Sequence, residues 1–124
     1  VVGRILSQIP GSGDLKLWST SPVRDFCWVD DAADAMVTLA RGAASGIFNV
    51  GTGIGTSIGA LARLALQAAN EESRTVREEA QGGSPSVLIL DIGETSRRTG
   101  WKAQIGLKNG LSRLVQNRMV PAEK

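Results

Sequence analysis

The 124-residue sequence contains no histidine, no tyrosine and a single cysteine, Cys27. Without histidine there is no Ser-His or Cys-His nucleophile pair, and without tyrosine there is no tyrosine proton donor. One cysteine cannot form a disulfide within the chain, and structural zinc usually takes four Cys or His ligands. Acid–base chemistry would fall to Asp, Glu, Lys or Cys27, which need burial or a charged neighbour to reach a useful pKa. The composition therefore argues against a complete enzyme.

Charge and hydropathy exclude two further classes of partner. Fourteen Lys and Arg against twelve Asp and Glu give a formal charge of +2. Residues 91–124 carry seven basic and three acidic residues, but Trp101 is the only aromatic among them, so we do not expect a nucleic-acid site. The most apolar stretch, Ile58–Ala69, is far shorter than the ~20 residues of a membrane span. With no targeting segment in view, we expect a soluble, cytoplasmic protein without a membrane partner.

Apolar runs bounded by turn residues predict a small α/β fold with short strands. The predicted strands are Leu15–Trp18, Phe26–Val29, Ile47–Val50 and Val87–Leu90, with a further strand-like piece at Thr75–Arg77. We expect them to be packed by helices in one domain that covers residues 1–124.

Apolar residues at helical spacing predict four main helices. The first contains Val2, Ile5, Leu6 and Ile9, and we expect the chain to self-associate through it. A second helix follows Asp30 and Asp31 and carries Ala33, Met36, Val37 and Ala40 on one face. A third buries Ile58, Leu61, Ala62, Ala65 and Ala69, and the C-terminal helix buries Leu107, Leu111, Leu114 and Val115.

The turn Gly51-Thr52-Gly53 precedes the third helix. A dinucleotide fingerprint needs a third glycine at the sixth position, where Thr56 stands, and a P-loop needs a Lys that is absent. Two interpretations remain: a tight turn, or a phosphate contact at the helix N-terminus near Thr56 or Ser57. The broken spacing favours the tight turn.

Arg24-Asp25-Phe26 is a second candidate motif. The guanidinium of Arg24 could bind two phosphate oxygens at once, or it could simply pair with Asp25 or Asp31. The tripeptide alone does not decide between these. Asp30, Asp31 and Asp34 could suggest a metal, but Asp31 and Asp34 fall on a predicted helix start, where carboxylates suit the helix dipole, so no metal site is predicted. Cys27 is interpreted as an inert, small hydrophobic residue in a strand.

The order of motifs is more specific than any one of them. Four segments contribute, namely Arg24–Asp31, Phe48–Gly53, Thr56–Ile58, and Asp91 followed ten residues later by Trp101. Together they resemble the C-terminal half of the NAD-dependent epimerase/dehydratase family, the extended short-chain dehydrogenases that act on sugar nucleotides. The resemblance runs from Leu15 to about Val115. It implies an α/β fold, as the small C-terminal substrate-binding unit of such a protein without its Rossmann nucleotide-binding half.

The resemblance also implies roles for individual residues. Arg24 would bind the nucleotide diphosphate, Trp18 would lie against the base, Ile54 would line the base pocket, and Asn49 would shape its wall. Family members carry a second phosphate-binding Arg where this chain has Gln81-Gly82-Gly83-Ser84. No catalytic residue, cofactor-binding residue or metal ligand is predicted in this chain.

The family's Gly-rich NAD-binding start and its Tyr-x-x-x-Lys pair do not occur in this sequence. The resemblance implies NAD or NADP for the full-length protein and none in this chain. The expected ligand is a nucleotide-diphosphate sugar, and the expected protein partner is an N-terminal Rossmann half or a second copy. The alternative is a stand-alone, non-catalytic remnant or a small binding or oligomerisation module of the same fold. The sequence does not indicate the sugar, the base or the reaction.

Overall fold

The computed structural model describes residues 1–43, 45–79 and 85–119, so that the predicted Gln81–Ser84 departure lies outside the described residues. Five helices and five short strands are formed within these ranges. In chain order they are α1 (Val2–Leu6), β1 (Leu15–Leu17), β2 (Val23–Asp25), α2 (Val29–Arg41), β3 (Gly55–Ser57), α3 (Ile58–Ala68), β4 (Val76–Glu78), β5 (Val87–Leu88), α4 (Gly93–Thr99) and α5 (Leu107–Met119).

The strands form two small sheets. β1 pairs in parallel with β4, with Leu15 opposite Val76 and Leu17 opposite Glu78. β2 is the central strand of the second sheet, antiparallel to β3 and parallel to β5. The predictions of strands at Leu15–Trp18 and Thr75–Arg77 are thus confirmed to within a residue, and Val87–Leu90 is confirmed in its first half.

The hydrophobic core is built around α3. All five residues predicted to form its buried stripe are buried, namely Ile58, Leu61, Ala62, Ala65 and Ala69. α5 packs against this helix and contributes Leu111 and Val115 to the same cluster. Spacings of three and four residues place the stripe on one face of a helix, so the sequence pattern and the packing agree.

The first helix lies inside this core, which corrects the predicted route of self-association. Its apolar side chains Ile5 and Leu6, together with Ile9 in the following turn, are all less than 10% exposed and belong to the same cluster. The side-chain amide of Gln8 also bonds the backbone N–H and C=O of Lys16, which closes the outer edge of β1. The helix therefore stabilises the chain itself, since Ile5, Leu6 and Ile9 are not available to a partner and Val2 is partly buried against the same core.

Two predicted strands are wrong. Phe26–Val29 is not a strand, because β2 ends at Asp25 and α2 begins at Val29. Ile47–Val50 is not a strand either, and Ile47 is 96% exposed. Apolar runs of this kind predict strands only if a neighbouring strand is available to pair with them. Within the described part of the chain, none pairs with residues 47–50.

α2 turns its predicted apolar face outward. Asp31 and Ala35 are buried, whereas Met36 and Val37 lie on the exposed side together with Val29. The helix is amphipathic as predicted, but its apolar stripe is not covered by the described residues of the chain.

Candidate functional site

β2 carries Arg24 and Asp25 on opposite faces of the second sheet, because successive side chains of a strand alternate. Arg24 is in register with Thr56 of β3 and Leu88 of β5, whereas Asp25 is in register with Gly55. Arg24 and Asp25 therefore contact different parts of the structure.

Asp25 holds the glycine-containing turn. Its carboxylate accepts hydrogen bonds from the Thr52 amide (2.9 Å), the Thr52 hydroxyl and the Gly53 amide (2.8 Å). Gly53 has φ +73°, a conformation that other residues rarely adopt, and a Cβ at Gly51 would lie 2.8 Å from Asp25 Oδ2, so a side chain is disfavoured at both positions. The geometry supports the tight-turn interpretation of Gly51–Gly53.

The first amides of α3 are already bonded within the chain. The N–H of Ile58 donates to Pro22 C=O and that of Gly59 donates to Thr20 C=O, both at 2.9 Å. The N–H of Ala60 donates to the Ser57 hydroxyl, which caps the helix. The predicted alternative of a phosphate contact at this terminus is therefore wrong. For the same reason, this strand–turn–helix does not fit the pyrophosphate of NAD, which needs such amides.

Arg24 has no acidic partner among the described residues. Its guanidinium donates to the Val23 carbonyl (2.7 Å), the Ser86 carbonyl (2.9 Å) and the Ser86 hydroxyl (2.8 Å). The five ion pairs of the described residues do not include it. The Arg24–Asp25 and Arg24–Asp31 pairs are thereby excluded, and no acidic side chain in residues 1–43, 45–79 and 85–119 neutralises the charge of Arg24.

The other aspartates of this region stabilise loops. Asp31 is buried and accepts hydrogen bonds from the amides of Gln104 (3.0 Å) and Ile105 (2.8 Å). Asp30 accepts one from the Trp28 ring nitrogen at 3.0 Å. No group of three or more potential metal-ligating side chains occurs within residues 1–43, 45–79 and 85–119.

Cys27 lies in the connection between β2 and α2 and is half-buried. Burial, and then the nearby carboxylates of Asp31 and Asp25, raise the pKa of its thiol. The thiol therefore stays neutral near pH 7, where only a thiolate would be a strong nucleophile. Its predicted place in a strand was wrong, but its surroundings agree with an unreactive residue.

A small crevice of about 50 Å³ lies at the β3 side of the second sheet. It is lined by Phe26, Ile54, Thr56 and Leu107, among others. Thr56 is opposite Arg24 in the antiparallel pair of β2 and β3, and side chains paired in this way stand about 5 Å apart on one face. Ile54 lines this crevice and Arg24 does not, so the two predicted site residues are linked only through Thr56, which lines the crevice and is in register with Arg24.

Trp18 and Asn49 stand apart from this crevice. Trp18 directly follows β1 and is 73% exposed. The side-chain amide of Asn49 donates to the Asp91 carbonyl (2.9 Å), and the backbone carbonyl of Asn49 accepts from the Thr95 hydroxyl (2.7 Å). Asn49 therefore ties residues 47–50 to the start of α4. Within the described residues, no hydrogen bond or cavity joins Trp18 or Asn49 to Arg24.

Ser86 and Glu78 were not predicted to contribute to this region. Ser86 contacts Arg24, and Glu78 accepts hydrogen bonds from the amide (3.0 Å) and hydroxyl of Thr20, in the loop between Trp18 and β2. Both partners are more than 50 residues away in sequence, so only the pairing of β1 with β4 and of β2 with β5 brings them together. Only knowledge of the strand order could have predicted the contacts of Ser86 and Glu78.

Known families provide an independent comparison. Residues 1–51 match the model of the NAD dependent epimerase/dehydratase family. A curated relative, dTDP-L-rhamnose 4-epimerase of Burkholderia thailandensis, is 36% identical over 93 residues, which are 73% of this chain and 26% of that protein. The chain is related to the NAD-dependent epimerase/dehydratase family. The resemblance that the motifs predicted is thereby confirmed at the level of the family.

Similar solved structures confirm the α/β fold class. The structure of UDP-glucose 4-epimerase from Thermotoga maritima, which contains UDP-glucose, is 25% identical and superimposes with a TM-score of 0.79 over 93% of this chain and 38% of that one. RMD of Pseudomonas aeruginosa, solved with NADPH, gives a TM-score of 0.80 at 22% identity over 94% and 40% of the two chains.

The chain spans about a quarter to a third of the length of the curated family members that it matches. No helix within the described residues is long and apolar enough to cross a bilayer.

Proposed function

We propose that this chain is the nucleotide-sugar-binding portion of an NAD-dependent sugar-nucleotide epimerase or dehydratase and is not catalytic on its own. The observation that carries the proposal is Arg24, a cation without an acidic partner among the described residues. It is in register with Thr56, which lines a crevice together with Phe26 and Ile54. A relative named as a dTDP-sugar epimerase and a similar structure that contains UDP-glucose support a ligand with a diphosphate.

Each predicted contact has a physical basis. The guanidinium of Arg24 would bind diphosphate oxygens, since planar N–H donors match a pair of anionic oxygens. The crevice at Ile54 would take apolar ligand surface, and the exposed ring of Trp18 would stack on the base. Asn49 would act through the backbone of residues 47–50, which it ties to Asp91.

We assign NAD or NADP binding to an N-terminal Rossmann half outside these 124 residues. The turn at Gly51–Gly53 and the first amides of α3 are bonded within the chain, so they do not fit a dinucleotide. No step of catalysis is assigned to this chain.

The outer face of α2 supports the predicted need for a protein partner. Val29, Met36, Val37 and Ile47 are exposed apolar residues on α2 and in the unpaired segment that follows it. Soluble monomers rarely expose contiguous apolar patches beyond a few hundred Å². The proposed partner of this surface is the N-terminal half, and in its absence a second copy of the chain, with residues 1–124 acting as one domain.

An NMR titration with UDP and dTDP tests the ligand site. We expect binding in the millimolar range, equivalent to about −4 kcal/mol, with shifts near Arg24, Thr56 and Ile54. Arg24→Ala should abolish these shifts. Arg97→Ala, which removes an exposed arginine on α4, is the matched control and should leave them unchanged. Shifts that cluster on α4 and α5, or that survive in Arg24→Ala, would show that the site is elsewhere.

Calorimetry with NAD and an assay with UDP- and dTDP-sugars test whether cofactor binding and catalysis lie outside this chain. We expect neither binding of NAD nor turnover by the isolated chain. Micromolar affinity for NAD would contradict the proposal. Adding an N-terminal half should restore activity only when Arg24 is intact.

A further inference from the structure

The end of the Arg24 guanidinium is held by the Val23 carbonyl and by two acceptors of Ser86, its carbonyl and its hydroxyl. We propose that Ser86 is a positioning residue for Arg24, which fixes the guanidinium so that its free edge faces a pair of phosphate oxygens. This inference rests on the proposed function, in which Arg24 binds a diphosphate. It adds a residue that neither the motifs nor the comparisons with known proteins point to.

The donor count of Arg24 shows which edge is free. A guanidinium has five N–H donors in a planar fork. Nη1 donates to the carbonyls of Val23 (2.7 Å) and Ser86 (2.9 Å), and Nη2 donates to the Ser86 hydroxyl (2.8 Å). Two donors have no partner among the described residues, Nε–H and the second Nη2 hydrogen. These two lie side by side along one edge and match two oxygens of a phosphate.

The sheet fixes Ser86 itself. Its carbonyl accepts from the Val23 amide at 2.8 Å as well as from Arg24 Nη1. Ser86 directly precedes β5, in which Leu88 is in register with Arg24. The two carbonyl acceptors are therefore held by the ladder between β2 and β5, and the same ladder fixes the backbone position from which the Ser86 hydroxyl reaches Nη2.

The chemistry of these acceptors keeps the site cationic. Two carbonyls and a hydroxyl orient the guanidinium without a negative charge, whereas a carboxylate at the same place would neutralise it. A preorganised cation loses less side-chain freedom when a ligand binds. The class of ligand that fits is a phosphate or diphosphate group bound side-on, as in a nucleoside diphosphate or inorganic pyrophosphate.

Three variants of the 124-residue chain test the role of the hydroxyl. Ser86→Ala removes it, Ser86→Cys keeps the size but is a poor acceptor, and Ser86→Thr keeps the hydroxyl. We expect UDP and pyrophosphate to bind about tenfold more weakly to Ser86→Ala and Ser86→Cys, from the loss of one hydrogen bond to a charged group. Ser86→Thr should stay within about twofold of the wild type.

A second readout isolates orientation from general stability. In the ligand-free wild type, the hydrogen-bonded Nη groups of Arg24 should rotate slowly and give separate NMR signals. Ser86→Ala and Ser86→Cys should average the Nη2 signals, and Ser86→Thr should restore them. Two hydroxyl-free variants keep the test decisive if one of them folds poorly.

The outcomes separate this inference from the proposed function. Unchanged Nη2 signals in Ser86→Ala or Ser86→Cys overturn the positioning role, and so does changed rotation with unchanged pyrophosphate affinity. If the wild type shows no Arg24-dependent binding of UDP or pyrophosphate, the proposed function fails, while the Nη2 signals still report whether Ser86 orients the side chain.

Discussion

Two sides of the molecule use apolar side chains in opposite ways. On the closed side, β1 and β4 pack with α1, α3 and α5, and Leu15 and Leu61 are fully buried. On the open side, the outer face of α2 and residues 47–50 carry Met36 and Ile47, which are 66% and 96% exposed. Helical periodicity is present on both sides. Periodicity therefore identifies a helix face that is to be covered but does not say whether the chain itself covers it.

The open side is where this chain departs from a self-contained fold. The closed side buries its aliphatic residues and closes the edge of β1 with the Gln8 amide. The open side has a segment of strand-like sequence, Ile47–Val50, without a paired strand among the described residues. This asymmetry fits a chain that matches only part of the length of its relatives.

The largest expected effect lies in the centre of the closed side. Leu61→Ala should lower the free energy of unfolding by about 2–5 kcal/mol, because a fully buried leucine loses its transfer free energy and leaves a cavity. Met36→Ala on the open side is the matched control and should change it by less than about 0.5 kcal/mol in the monomer. Urea denaturation at low protein concentration measures both. Similar losses for the two variants would contradict the contrast between the sides.

The link between Asp25 and the Gly51–Gly53 turn comes next in size. Asp25→Asn replaces a carboxylate that accepts from three donors with an amide, so the N–H of Thr52 or of Gly53 loses its acceptor. We expect a loss of about 1–3 kcal/mol in the free energy of unfolding. Asp34→Asn, at an exposed position of α2, is the matched control and should have little effect. Equal stability of the two variants would show that the turn does not depend on Asp25.

The elements with strong local signals were predicted correctly. The α3 stripe from Ile58 to Ala69 and strand β1 follow from apolar spacing and need no knowledge of distant residues. Strands β2 and β3 were missed, because Val23-Arg24-Asp25 has one apolar residue and Gly55-Thr56-Ser57 has none. A three-residue strand is stabilised mainly by pairing with its neighbours, which local sequence does not encode.

The candidate site shows the same division. Arg24 could be singled out from its motif, but its neutral partners Val23 and Ser86 depend on the pairing of β2 with β5. Asp25 was predicted to be a possible ion-pair partner, and it holds a turn 27 residues away instead. Contacts that depend on the order of the strands could not be predicted from the spacing of residues in the sequence.

Charges placed on the open side should weaken self-association. We expect the wild type to form dimers or larger species. The contact surface should be the outer face of α2, because the apolar residues of α1 are buried. Met36→Lys should raise the dissociation constant about tenfold or more, because burial of one large apolar side chain contributes about 1.5–3 kcal/mol. Ser73→Lys adds the same charge at an exposed polar position and is the control. Sedimentation velocity over a concentration series measures both, and a monomeric wild type at high concentration would contradict the prediction.

The smallest expected effect is the pH dependence of stability that comes from the hydrogen bonds between Glu78 and Thr20 on the closed side. Glu78 on β4 accepts hydrogen bonds from the hydroxyl and the amide of Thr20, and these bonds lower the pKa of its carboxyl below the ordinary 4.5. Because the pKa is lower in the folded state than in the unfolded state, the stabilisation is fully present above the ordinary value. It is lost as the pH falls through the lowered value.

Glu78→Gln should therefore be less stable than the wild type at pH 7, and the difference should shrink progressively once the pH falls below about 4.5. Glu72→Gln, at an exposed position in the loop before β4, is the control. Urea denaturation between pH 3 and pH 7 measures both variants. The side chain of Glu78 is exposed, so the effect should be small and should not approach that of Leu61→Ala. If the difference in stability between Glu78→Gln and the wild type stays constant over this range, the charge of the Glu78 carboxylate does not hold the loop that carries Trp18 and Thr20. The loop would then be held by the hydrogen bonds that Thr20 and Pro22 accept from the start of α3.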